Sequence, residues 1–196
     1  MNTIHVNWIL AAAVLLIALV PLAAWLVARS KKQSLRLKER FGPEYERAVA
    51  EHGGRAKAES ELRSREKRVE HLDIVPLAPA DAARFAQSWN SLQSRFVDDP
   101  KKVVAQADQL VRELMLKRGY PMGDFERRAA DISVDHPAVV ENYRAAQAIA
   151  VRDQRGEADT EELRKSVVHF RTLFDDLLEV RESAQEGLAA AKLSVA

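Results

Sequence analysis

The 196-residue chain has no cysteine, which excludes disulfides, thiolate zinc sites, cysteine nucleophiles and lipid attachment at cysteine. Glycine and proline number only seven each, few punctuators for a chain full of Ala, Leu, Glu and Arg, and no β-rich region stands out. The composition therefore predicts an all-α protein. No glycine-rich phosphate loop occurs, no histidines stand at HExxH or comparable metal spacing, and no serine sits in a nucleophile-like turn. The sequence thus offers no catalytic residue, metal site or cofactor site.

What is present begins with an apolar run. No charged residue occurs from Trp8 to Ala28, and at 1.5 Å per helical residue this stretch spans about 31 Å, close to the hydrocarbon thickness of a bilayer. Trp8 and Trp25 lie near its two ends, where indoles favour the interface, and Pro21 is of a kind that membrane helices tolerate. A cleaved signal peptide fits less well. Residues 1–7 contain no Lys or Arg, the apolar core is long, and ending at Ala24 or Ala28 puts Leu22 or Leu26 where a small residue is required.

The near-neutral net charge hides an asymmetry. Residues 1–70 carry 13 Lys/Arg against 8 Asp/Glu, whereas residues 71–196 carry 17 against 21. Directly after the run come Arg29, Lys31, Lys32, Arg36, Lys38 and Arg40, opposed only by Glu39. The positive-inside rule predicts a single-pass protein of the cell membrane with its N-terminus outside and its C-terminal domain cytoplasmic. The same six cations are candidate contacts for the headgroups of the lipid bilayer, at about 1 kcal/mol each near the surface.

Gly42-Pro43 predicts a helix break, with Pro43 opening a second helix that shows Tyr45 and Val49 on one side and ends at Gly53-Gly54. Residues 55–72, RAKAESELRSREKRVEHL, hold few apolar side chains, and their charges pair at i,i+4 as Glu59 with Arg63 and Glu61 with Arg65. The expectation is a solvated helical stalk of about 27 Å, because Arg65 interrupts the seam a coiled coil would need. Four interleaved glutamates and the lack of an aromatic platform argue against a nucleic-acid partner. LDIVPLAP (72–79) then reads as an extended domain boundary that lays Ile74, Val75 and Leu77 across the helices that follow.

Four amphipathic segments follow, with large apolar residues spaced by three and four. Phe85, Trp89, Leu92 and Phe96 mark the first. Val103, Ala107, Leu110 and Leu114 mark the second, opened by Asp99 as a cap with Pro100 and closed by Gly119. Val139, Tyr143, Ala146 and Ala150 mark the third, from about Asp135 to Arg155. Leu163, Val167, Phe170, Phe174 and Leu177 mark the fourth, where Asp159 and Glu162 form a capping box. The predicted layout is a short extracytoplasmic tail (1–7), a transmembrane helix (8–28), a basic juxtamembrane segment and stalk (29–72), an antiparallel bundle of four main helices plus a short one (73–182), and a flexible tail (183–196).

The connector GYPMGDFERRAADISVDHP (119–137) collects acids, arginines and a histidine. Asp124 and Asp135 read as helix caps, and Phe125, Ala129 and Ile132 give FERRAADI an inward face. His136 beside Asp135, with His169 approaching in space, is the one acid–base constellation on offer, but it lacks a nucleophile. Asp98 and Asp99 before Pro100 read as a cap rather than a cation site. Tyr120, Pro121, Met122 and Phe125 are candidate contacts for an unidentified protein partner, since aromatic residues and Met are enriched at interfaces; as packing, they would instead cover the end of the bundle.

RFVDDP (95–100), RGYP (118–121), DFERRAADISVDHPAVVENYRAA (124–146) and HFRTLFDDLL (169–178), with RFGPEY (40–45), resemble an uncharacterised bacterial family of hypothetical helical proteins, N-terminally membrane-anchored and often labelled secreted. The resemblance covers most of residues 85–180 and implies no activity, cofactor or catalytic residue. The expected function is a membrane-tethered helical interaction or scaffolding protein without catalytic activity. The alternative is a small-molecule sensor or enzyme with a pocket inside the bundle.

Overall fold

The computed structural model describes Trp25 and residues 28–193, with side chains through Leu178. All regular structure among them is helical: α1 (28–41), α2 (Pro43–Glu51), α3 (Arg55–Glu70), α4 (Pro79–Ser94), α5 (Pro100–Lys117), α6 (Phe125–Asp135), α7 (Val140–Gln154) and α8 (Thr160–Leu193). The expected span at 8–28 lies outside the described residues except for Trp25 and Ala28, and no described helix is long and apolar enough to cross a membrane.

The helix boundaries follow local chemistry. Asp99 accepts a hydrogen bond from the Lys102 amide (3.1 Å) and Asp124 from that of Arg127 (2.7 Å), so both cap as expected. The capping box is reciprocal: the Glu162 amide donates to Asp159 (2.8 Å) and the Asp159 amide to Glu162 (3.1 Å). Gly42 takes φ +50° before Pro43, a turn open to glycine and costly for other residues. Gly119 takes φ +97°, and a Cβ there would meet the Asp73 carbonyl oxygen at 2.2 Å, so only glycine lets the 73–75 linker press against the end of α5. The Val75 amide fixes that approach by donating to the Arg118 carbonyl at 2.9 Å.

α4, α5, α7 and α8 enclose one core. Lys117 at the end of α5 pairs with Asp81 at the start of α4 (3.1 Å), and Lys101 at the start of α5 with Asp153 at the end of α7 (3.6 Å). Arg152 and Glu162 (2.6 Å) close the turn from α7 to α8. Consecutive main helices are therefore antiparallel. Every stripe predicted from spacing contributes to this core, with Phe96 and Ala150 at its partly buried margin, and Trp89 stacks on Phe174 with ring centroids 4.7 Å apart. Leu77 and Ile74 of the linker pack inward, whereas Val75 is exposed.

Beyond residue 182 the backbone of α8 runs on as helix to Leu193, and residues 194–196 lie outside the described set. Two expectations need correction. Asp135 does not cap the next helix; α6 runs through it, and α7 begins only at Val140 after a turn at His136. Residues 55–72 are not a solvated stalk. α3 folds back on α1 and α2 around Leu37, Phe41, Tyr45, Ala48, Ala58, Leu62 and Val69, and Val134 of α6 completes this second core.

Arg65, which would break a coiled-coil seam, is buried there because it has carboxylates to meet. It donates to Glu44 of α2 at 2.9 Å and to Glu61 at 3.2 Å. Glu44 is only 1% exposed and also accepts from Arg144 of α7 at 2.9 Å. Arg68 of α3 meets the buried Asp131 of α6 at 2.8 Å. The basic segment is thus bolted to the bundle by charge as well as by apolar contact. Burial alone would lower the affinity of Arg144 for its proton, but the Glu44 and Glu126 carboxylates more than offset it and hold the group above its ordinary value.

Replacing Trp89 or Phe174 by Ala is expected to cost about 3–5 kcal/mol, read as a fall in urea midpoint, because each deletion opens a cavity in the stacked pair. Glu44→Ala leaves Arg65 buried without its long-range partner and is expected to cost about 3–5 kcal/mol. In the same assay the double substitution Glu44→Leu/Arg65→Met should recover the part of that loss that Arg65 causes, leaving Arg144 with Glu126 as its carboxylate partner.

Candidate functional site

α1 carries two adjoining stripes. Ser34, Leu37 and Phe41 are buried against α2 and α3, while Arg29, Lys32, Arg36 and Arg40 recur at intervals of three and four on a neighbouring, exposed stripe. The turn at Gly42-Pro43 and that at Gly53-Gly54 bring α3 back alongside, so Arg63 and Lys67 face the same side. Two clefts of about 660 Å³ each open between the helices and meet at Arg36 and Arg63, which line both.

Among the described residues the cleft nearer the start of α1 is walled by Arg29, Lys32, Arg36 and Arg63 against a single carboxylate, Glu39, with Leu35 and Leu37 as apolar wall. The second is more balanced, setting Arg36, Arg40, Arg63 and Lys67 against Glu66, Glu70 and Asp135 over a floor that includes Val69, Ile74 and Val134. Glu66 receives Arg36 at 2.7 Å and Arg40 at 3.1 Å, tying α1 to α3 and holding both guanidinium groups over the groove. Arg29 lies over the ring of Trp25, 5.2 Å from its centroid.

The six cations predicted for headgroup contact are therefore divided. Arg29, Lys32, Arg36 and Arg40 line the clefts. Lys38 turns to Glu46 of α2 at 2.6 Å, and Lys31 is exposed outside both clefts. Arg63 and Lys67 were missed. Their i,i+4 spacing puts them on one face of α3, but only the fold shows that this face meets α1.

The acid–base constellation has also been rearranged. His136 Nδ1 pairs with the Asp176 carboxylate of α8, while the Tyr120 hydroxyl donates to Asp135 at 3.1 Å. His169 is elsewhere, with Nδ1 2.8 Å from the side-chain oxygen of Asn142. Arg118 passes beneath the Tyr120 ring, its guanidinium carbon 6.0 Å from the centroid, and donates to the Leu177 carbonyl at 3.2 Å. This cluster fastens the α6–α7 turn to the end of α5 and the middle of α8. Neither histidine lines any of the larger clefts, and no group of three or more His, Asp or Glu able to hold a metal ion occurs among the described residues.

Of the four candidate partner contacts, Tyr120 is 1% exposed and belongs to this cluster. Phe125 is half-buried, its ring 4.9 Å from that of Tyr143. Tyr120 is thus part of the packing, Phe125 packs with one side against the core, and Pro121 and Met122 are exposed on the connector. Compared with known proteins, the chain matches no family model, no curated protein and no solved structure.

Burial, followed by the charge of Asp135, raises the ionisation of Tyr120 well above its ordinary value, with Arg118 opposing. In the unfolded chain the phenol ionises near pH 10 as usual, at about that value. The native state then holds the proton more tightly, so this contribution to stability is complete below about pH 10 and declines as pH rises further. Urea unfolding at about pH 9 and about pH 11 should show wild-type stability falling with pH, and Tyr120→Phe should make that fall shallower.

Proposed function

We propose that this chain is a single-pass membrane protein that presents a non-catalytic helical scaffold at the cytoplasmic face of the bilayer. One observation carries the reading: the stripe Arg29, Lys32, Arg36 and Arg40 on α1 begins directly where the uncharged run of residues 8–28 ends, and α3 adds Arg63 and Lys67 beside it. Such a face is attracted by anionic headgroups and resists transfer across the membrane.

The remaining polar chemistry is consistent with a scaffold. Glu44, Arg65, Arg68, Asp131 and Arg144 are engaged in holding helices together, and the Tyr120–Asp135 and His136–Asp176 pairs lie against packed elements. The scaffold's protein partner would meet the connector through Pro121 and Met122, the latter 40% exposed. Nucleic acid is no part of this reading, nor is a cofactor.

Fractionation of cells expressing the full chain should place it in the membrane pellet, resistant to high salt and released by detergent. Protease added outside intact cells should leave the C-terminal domain whole, while the same protease on inverted vesicles should digest it. Digestion from outside would reverse the topology, and recovery of the full chain in the soluble fraction would remove the anchor.

A further inference from the structure

We infer that the cleft between α1 and α3 is a discrete site for one anionic phospholipid bearing two phosphates, held by Arg29, Lys32, Arg36 and Arg63. The inference rests on reading residues 8–28 as a membrane span and goes beyond a diffuse attraction between a basic flank and a charged surface.

Height is the first argument. Along a helix rising about 1.5 Å per residue, Lys32 lies about 6 Å and Arg36 about 12 Å beyond Ala28. The polar layer of one leaflet is about 5–8 Å thick, and long cationic side chains reach back toward it while their stems cover apolar surface. Arg29 and Lys32 therefore stand at headgroup level, and Arg36 and Arg63, beyond its outer edge, meet the headgroup by reaching back along the cleft.

Composition is the second. Among the described lining residues four cations face one carboxylate, Glu39, and Arg36 is also paired with Glu66 from outside the lining, so about two positive charges are left for a ligand; a headgroup carrying two negative charges is better matched than one carrying a single charge, and a zwitterion has little to gain. Leu35, 60% exposed, stands on the wall where glycerol and the first methylenes of a lipid would lie. An inorganic anion has no use for that surface.

Preorganisation is the third. Arg36 is steered by Glu66 at 2.7 Å, while its side chain remains largely exposed. Among the described residues Arg63 meets Glu59 at 3.9 Å, a loose contact that leaves its guanidinium available from the opposite helix. Two guanidinium groups approaching from different helices can clamp phosphate oxygens in a way that one basic stripe cannot.

The test titrates the full chain, purified in a zwitterionic detergent, with diphosphatidylglycerol and counts bound lipids by native mass spectrometry. Phosphatidylcholine and inorganic pyrophosphate serve as the neutral-lipid and soluble-anion arms. The expected result is one saturable diphosphatidylglycerol per chain, weakened about fivefold by Arg63→Gln and unchanged by Arg47→Gln, which removes an equal charge from the exposed face of α2. Lys32→Gln is the second variant should Arg63→Gln alter the melt, and it is expected to weaken binding in the same way.

Equal losses from the cleft and Arg47 substitutions, or several lipids bound without saturation, would overturn the site in favour of a diffuse surface. Pyrophosphate binding as tightly as the lipid would assign the cleft to a soluble anion and overturn the lipid. Membrane anchoring is tested separately by cell fractionation, so loss of the cleft site with the chain still in the pellet leaves the scaffold reading standing.

Discussion

The architecture turns on one buried carboxylate. Glu44 accepts from Arg65 on the next helix and from Arg144 in the bundle, each at 2.9 Å. A carboxylate removed from water without partners is expensive, so the two guanidinium groups do more than decorate it. They make the position of α2 depend on α3 and α7 together. Arg68 and Asp131 add a second ionic contact, to α6, and Val134 of the same helix joins the apolar cluster of α1, α2 and α3. Apolar surface supplies the main driving force, but it is indifferent to register. The ion pairs select which face of the N-terminal hairpin meets the bundle.

That selection explains where sequence reasoning succeeds and where it stops. The stripes of α4, α5, α7 and α8 are legible because each helix buries one face, and a three-and-four spacing writes that face into the chain. The caps at Asp99, Asp124 and Asp159 are equally local. Arg65 is different: beside Glu61 it reads as a solvated i,i+4 pair, and nothing nearby announces that Glu44 and the interior await it. A segment with little apolar content passes for a stalk when its buried polar groups find their counterparts only through tertiary contact. Asp135 was misread for a related reason, since its role is set by Tyr120, fifteen residues earlier.

The candidate site shows the same division. The cations of α1 are evident beside an uncharged run, and their common stripe follows from helix geometry. That Lys38 leaves the group for Glu46, while Arg63 and Lys67 join it, depends on the hairpin between α1 and α3. A basic flank is a one-dimensional property of many membrane-facing chains. A cleft with cations on two walls is a three-dimensional one, and it exists only because α3 folds back beside α1.

The bond between Glu44 and Arg144 spans 100 residues, and that distance acquires a meaning in time. At about 5–20 residues per second, α7 leaves the ribosome roughly 5–20 s after α2. During that interval Glu44 and Arg65 can find each other, but the second guanidinium does not yet exist. The nascent hairpin therefore meets Asp131 and Val134 as α6 emerges, and Glu44 gains its second guanidinium only when α7 follows.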